Sequence, residues 1–252
     1  MLQKFIISLF ILATYSFNSF AMVSFSLNDA PFINSLMVED NLMAIQDKNK
    51  DFIILYNKKN EMVYIKHKDL DKTFKTPADK VRQTKFLTML KPENTELEII
   101  NFNTKLYNIK FGGRECLQLH TAKDLDPGSG LSSVFVLYKA FVYFTGQARL
   151  NAKCENLNIS TNFDKAGFPL AASNNGYQIK ISKMENAEQS MQEFLNSNNL
   201  TPKKASKPNL NLQYHLMLSL LTEKQQETFL VQSKNKPLNI KIKAIDNLLA
   251  GF

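Results

Sequence analysis

Three short runs rich in β-branched and aromatic residues follow one another closely: Leu42–Gln46, Phe52–Tyr56 and Met62–Lys66. They are separated by Asp47-Lys-Asn-Lys50 and Asn57-Lys-Lys-Asn60, polar connections that hold only a turn. Connections this short return a strand beside its predecessor, because a parallel crossover needs a dozen or more residues. The segment from Asn41 to Lys75 is therefore an antiparallel meander, with a short extra strand near Thr73 and Phe74.

The same rhythm continues. Glu96–Ile100, Leu106–Phe111 and Glu115–His120 read as strands, the last two joined through Gly112-Gly113. Period-two alternation places Cys116, Gln118 and His120 on one face of their strand and Leu117 and Leu119 on the other. Asn156–Phe163 alternates like a half-buried strand, Asp164–Gly167 is a turn, and Phe168–Leu170 and Gly176–Met184 form a hairpin through Asn174-Asn175.

Helices interrupt this pattern. Thr76-Pro77-Ala78-Asp79 supplies a cap, a first-turn proline and an acidic residue, which predicts a helix to about Leu90 with Val81, Phe86, Met89 and Leu90 inward. After the loop Asp124–Ser133, residues 134–144 are apolar on all sides and satisfy both strand and helix patterns. Length and Ser132-Ser133 at a capping position tip the balance toward helix. Beyond Glu185 the chain turns helical: Ala187, Met191, Phe194 and Leu195 trace a short helix, and Asn196–Asn209 reads as a polar linker. Leu210, Tyr214, Met217, Leu218 and Leu221 form an apolar stripe, Thr222-Glu-Lys-Gln225 is a capping box, and Leu238, Ile242, Ile245 and Leu249 form a second stripe. The fold class is α+β: a curved, half-barrel-like antiparallel sheet with one or two packed helices and a helical C-terminal appendage. Residues 22–185 form the β-rich domain and residues 186–252 the helical region.

The first twenty-one residues have a basic head at Lys4, an apolar run from Phe5 to Tyr15, and small residues at Ser19 and Ala21. This is the three-part pattern of a secretory signal, with cleavage between Ala21 and Met22 and a periplasmic or secreted destination. Met22 stands where a lipoprotein would need cysteine, so no lipid anchor is expected. In an oxidising compartment the two cysteines, Cys116 and Cys154, read as one disulfide. Closing a loop of about 39 residues is worth roughly 4 kcal/mol in the chain-entropy description.

Without the signal the net charge is +7, and residues 201–252 carry +5 of it. Only Arg82, Arg114 and Arg149 supply guanidinium groups; the rest is lysine, which suits a solvated surface better than bidentate recognition of bases or phosphates. Nucleic acid is not an expected partner.

No constellation of catalytic residues emerges. His67, His120 and His215 fall in separate elements without metal-ligand spacing, and no metal or cofactor is expected. Gly128-Ser129-Gly130 is not a nucleophile elbow, and the glycines fit no phosphate or dinucleotide loop. The carboxylate pairs Glu39/Asp40 and Glu96/Glu98 read as surface charge. His120 stands out mildly, in the strand of Cys116 and just before Asp124 and Asp126. The remaining signal is aromatic: the chain has 19 Phe and 8 Tyr, 15 of the Phe remain after the signal, and such side chains on a curved sheet fill a closed core or line an apolar cavity.

The strand–turn series from Leu42 to Phe74, the segment Phe111-Gly-Gly-Arg-Glu-Cys116, and Asp164–Leu170 followed by Gly176–Ile181 together resemble a pattern of exported bacterial proteins of unknown function. These are similar to the periplasmic lipoprotein carriers and localisation factors. The resemblance covers about residues 25–185; the cysteine pair and the tail after Glu185 are additions to it. It implies an incomplete, strongly curved antiparallel barrel closed by helices over an apolar cavity. The expected function is non-enzymatic binding of an apolar ligand, an acyl chain or lipid, by an exported protein. The alternative is an envelope interaction protein whose basic tail, residues 201–252, docks a protein partner or an anionic membrane surface.

Overall fold

The computed structural model describes residues 22–30, 32–81, 93–111, 114–146, 161–174 and 177–249. The chain is α+β, built on one curved, open antiparallel sheet of eleven strands that does not close into a barrel. The first six strands are β1 (Val23–Asn28), β2 (Ile33–Glu39), β3 (Leu42–Asp47), β4 (Phe52–Asn57), β5 (Met62–His67) and β6 (Phe74–Pro77). They are followed by β7 (Glu93–Ile99), β8 (Phe102–Phe111), β9 (Arg114–Ala122), β10 (Phe168–Asn174) and β11 (Tyr177–Asn186). The spatial order is β6-β5-β4-β3-β2-β1-β11-β10-β9-β8-β7. Two meanders therefore run outward from a central seam, where Val23 lies opposite Asn186 and Asn28 opposite Lys180.

Strands β3, β4 and β5 are apolar on both faces because both faces are covered. Met43, Ile45, Ile54, Tyr56, Val63 and Ile65 point into the main core. Their neighbours Ala44, Ile53, Leu55 and Tyr64 point the other way, against Met191, Phe194 and Leu195 of helix α3 (Met191–Ser197). The short helix α1 (Ala78–Val81) follows β6 directly, and α2 (Leu131–Thr145) lies across the main-core face. The C-terminal helices α4 (Leu210–Ser219), α5 (Glu223–Ser233) and α6 (Leu238–Leu249) contribute Leu212, Leu216, Phe229, Ile245 and Leu249 to that same core. Each such fully buried aliphatic or aromatic side chain contributes about 1.5–3 kcal/mol of transfer free energy.

Tight turns set the register. Ile100 and Asn101, both at positive φ, join β7 to β8 in the manner of a two-residue hairpin. Asp47 organises the turn before β4: its Oδ1 accepts the Phe52 N–H at 2.7 Å and its Oδ2 the Asn49 N–H at 3.2 Å. Gly167, at φ +99°, passes so close to Ala122 that a Cβ would sit 2.2 Å from its carbonyl oxygen.

Several sequence expectations need correction. Strands β1 and β2 were not among the expected strands, although β1 forms one side of the central seam and β2 pairs with it. Thr76 and Pro77 still belong to β6, with Thr76 paired to Val63, so the expected helix opens at Ala78 instead and is described as far as Val81; of the inward residues expected there, Val81 is buried, and Phe86, Met89 and Leu90 lie outside the described residues. Residues 134–144 are helical, but the cap is Gly130, and Ser132 and Ser133 are already inside the helix. Thr161–Ala166 is a 3-10 turn, so the strand expected to reach Phe163 does not include its last three residues; the rest of it lies outside the described residues. The expected linker is packed: Leu200 is buried, and Ser206 exchanges backbone hydrogen bonds with Thr73 and Lys75 along the edge of β6. Leu210 is 55% exposed, because α4 turns Leu212 and Leu216 inward instead. The capping box Thr222/Gln225 forms as expected, and a second one, Ser190/Glu193, opens α3.

Candidate functional site

Under α2 lies an apolar cavity of roughly 200 Å³ that straddles the central seam. The first meander supplies Leu27, Leu36 and Ile45; the second supplies Leu119, Ala171 and Ile181. Helix α2 roofs it with Val134, Leu137, Phe141 and others, and among the described lining residues only Tyr138 carries a polar side-chain atom. The cavity is not sealed: Leu27, Ile33, Val134 and Ile179 on its walls are half-buried rather than buried. Phe141 anchors the roof, its ring stacked 6.0 Å from Phe32 and 6.4 Å from Phe52. The aromatic content thus partly fills a core and partly lines a cavity.

Cys116 is buried on β9 among Tyr107, Ile109 and Phe135. Cys154 and Ala21, where cleavage is expected, lie outside the described residues, while Met22 is buried and its carbonyl accepts the Ala187 N–H. His120 is half-buried beside Thr104, with its Nδ1 3.3 Å from the Thr104 hydroxyl, and the loop aspartates are not among its partners. Burial first, and Lys180 second, lower its pKa. Glu39, read from sequence as surface charge, accepts the Met191 N–H and caps α3. Glu96 and Glu98 are exposed on β7.

The fold also gathers residues that sequence spacing kept apart. His67 ends β5, Asp69 follows in the adjoining turn, and His215 comes from the middle of α4. Asp69 Oδ2 lies 3.9 Å from His67 Nδ1 and 3.9 Å from His215 Nδ1, and the two rings are 5.1 Å apart. His67 is almost wholly buried, and its Nε2 lies 2.8 Å from the Ser219 hydroxyl. Burial and the neighbouring His215 push its pKa down to about 4, and burial also lowers that of His215. Asp47, buried in the nearby turn, is pushed up to about 6, chiefly by burial. No local motif joins a histidine at 67 to one at 215; only the docking of α4 onto β5 does.

Comparison with protein-family models finds no match, and no curated protein matches. Two crystal forms of a protein titled PNGF-II share 12% identity over 79% of this chain, with TM-scores of 0.46 and 0.45. This chain spans about a third of the length of those chains, 33% and 34%. An uncharacterized conserved protein from Thermus thermophilus matches over 80% of this chain and 98% of its own, at 10% identity and a TM-score of 0.33. Likenesses this distant carry no argument about activity. The resemblance to lipoprotein carriers therefore rests on its sequence motifs alone.

Proposed function

We propose that this is an exported, non-enzymatic protein that binds an apolar ligand, an acyl chain or lipid, in the cavity beneath α2. The observation that supports this is the composition of the wall. A partly open space lined by aliphatic and aromatic side chains, with the Tyr138 hydroxyl as the one polar side-chain group of the described lining, favours an apolar ligand and costs little to desolvate. The lipoprotein carriers, which the sequence motifs resemble, use a curved sheet and covering helices in the same way. Titration with a fluorescent polyunsaturated fatty acid tests the reading. Saturable binding should be seen in the natural protein and should weaken at least tenfold in Ala172→Phe, which fills the space from β10. Equal binding by both proteins, with unchanged melting, would remove the cavity from consideration. N-terminal sequencing of envelope-derived protein should find Met22 first.

A second reading has its own support. Leu230, Val231, Ile240 and Leu248 are exposed on α5 and α6, and Val231 is 79% exposed. They accompany Lys234, Lys236, Lys241 and Lys243. Apolar side chains among lysines suit the surface of an anionic bilayer. Among the described residues no helix is long and apolar enough to cross a membrane. Sedimentation with anionic vesicles, repeated with Val231→Glu, tests this reading independently of the cavity.

A further inference from the structure

We propose that His67, Asp69 and His215 form a binding site for a divalent transition-metal ion of the zinc class, clamping helix α4 to the sheet. One donor atom from each of the three residues lies within 4.8 Å of the other two. Two imidazole nitrogens and one carboxylate oxygen are a donor set that suits Zn²⁺, leaving a fourth position for water.

The hydrogen bonds around His67 fix which nitrogen is available. The Ser219 hydroxyl has one proton, and it donates that proton to the His215 carbonyl at 3.1 Å. Towards His67 the same oxygen must therefore accept, so Nε2 carries the ring proton and Nδ1 presents a lone pair. The Asp69 N–H, which donates to Nδ1 at 3.1 Å, requires the same tautomer independently. An imidazole whose far nitrogen donates to a neighbour while the near one faces a carboxylate is the arrangement that orients metal-bound histidines.

His215 supplies the second observation. Its Nδ1 is buried and has no hydrogen-bond partner, yet it is directed toward Asp69 Oδ2 at 3.9 Å. A buried polar atom without a partner is costly, and a shared cation would satisfy it together with the carboxylate and the His67 lone pair. The present separations are wider than those of a closed coordination sphere. The side chain of Asp69 is 55% exposed, so it is free to swing inward, and the Asp69 N–H bond to His67 is given up when the ion enters. The other charges near His67 are Asp51 and Lys68, which pair with each other at 2.6 Å. The site is separate from the apolar cavity, and its assignment does not rest on the ligand reading.

The test uses tag-free full-length protein, stripped with chelator and titrated with Co²⁺ and Zn²⁺. One Co²⁺ per chain should bind with visible d–d absorption that Zn²⁺ displaces, and Zn²⁺ should raise the melting temperature. Asp69→Asn, at an exposed position that leaves the fold intact, should weaken binding at least tenfold. His215→Ala should abolish it, and Ser219→Ala should weaken it about tenfold by releasing the orientation of His67. Absence of Co²⁺ absorption in the natural protein would overturn the assignment. So would affinity unchanged in both Asp69→Asn and His215→Ala, since the metal would then sit elsewhere.

Discussion

Asp164 holds the first turn of α2 through Ser132: its carboxylate accepts the Ser132 N–H at 2.7 Å and the Ser132 hydroxyl at 2.9 Å. A carboxylate at a helix N-terminus satisfies otherwise orphaned donors and complements the helix dipole. Here it comes from a separate segment, the 3-10 turn before β10, so the roof of the cavity is tied to the second meander. Gly130 makes the approach possible, because a Cβ there would lie 2.4 Å from the Asp164 carboxyl carbon.

Asp164→Ala should therefore lower stability by about 1–2 kcal/mol, in the range of lost helix caps. Gly130→Ala should cost a similar amount by pushing the carboxylate away, and the two changes should add to less than their sum. Urea denaturation of the two single variants and the double variant checks both points.

In chelator-treated protein, Asp47 and His67 should act on stability in opposite directions between pH 4 and 6. Asp47 is raised to about 6 in the fold, so the folded state holds its proton longer than the unfolded state; its contribution is full below about pH 4 and is lost as pH rises through 6. His67 is lowered to about 4, so the unfolded state takes up its proton first; its contribution is full above about pH 6.5 and is lost as pH falls through 4. Each effect reaches up to roughly 3 kcal/mol. Relative to the natural protein, Asp47→Asn should make stability rise more with pH across this window, and His67→Gln should make it rise less. Denaturant midpoints measured at half-unit pH steps would reveal the two slopes.

Phe141→Ala removes the ring that stacks on Phe32 and Phe52 and lines the cavity. It should cost about 3–5 kcal/mol, the range for a buried phenylalanine whose space does not collapse. Thermal melts with and without fatty acid would show whether ligand recovers part of the loss.

Cys116 and Cys154 are expected to be bonded to each other. Non-reducing peptide mapping should find one cross-linked pair, and replacing either cysteine should lower stability by about 2–4 kcal/mol. Free thiols on both residues of exported protein would refute the pairing.

The meander was readable because its turns are polar and its strands β-branched, as in Phe52–Tyr56. β1 was not, because Val23-Ser-Phe-Ser-Leu-Asn28 is short and half polar and depends on β2 and β11 for its structure. Helix α2 was ambiguous because its burial on several sides erases periodicity, and Asp164, whose carboxylate accepts from its first turn, lies outside any local window. Leu210 misled for a related reason: spacing identified a helix but not which face the sheet would choose. The cavity was legible only as aromatic richness. The cluster of His67, Asp69 and His215 was not legible at all, since residues nearly 150 positions apart meet only after α4 docks.

The central seam has a consequence for how the chain is made. β1 leaves the ribosome among the first segments of the sheet, but its partner β11 is among the last of the strands. Until residues 177–186 are available, one side of β1 presents unpaired N–H and C=O groups, an open template for another chain. Hairpins β2–β6 form from neighbours in sequence and are quick, whereas joining Val23 to Asn186 must close most of the polypeptide into a loop. The slow step is thus the union of the two halves, and a chain interrupted before β11 is the one most exposed to aggregation.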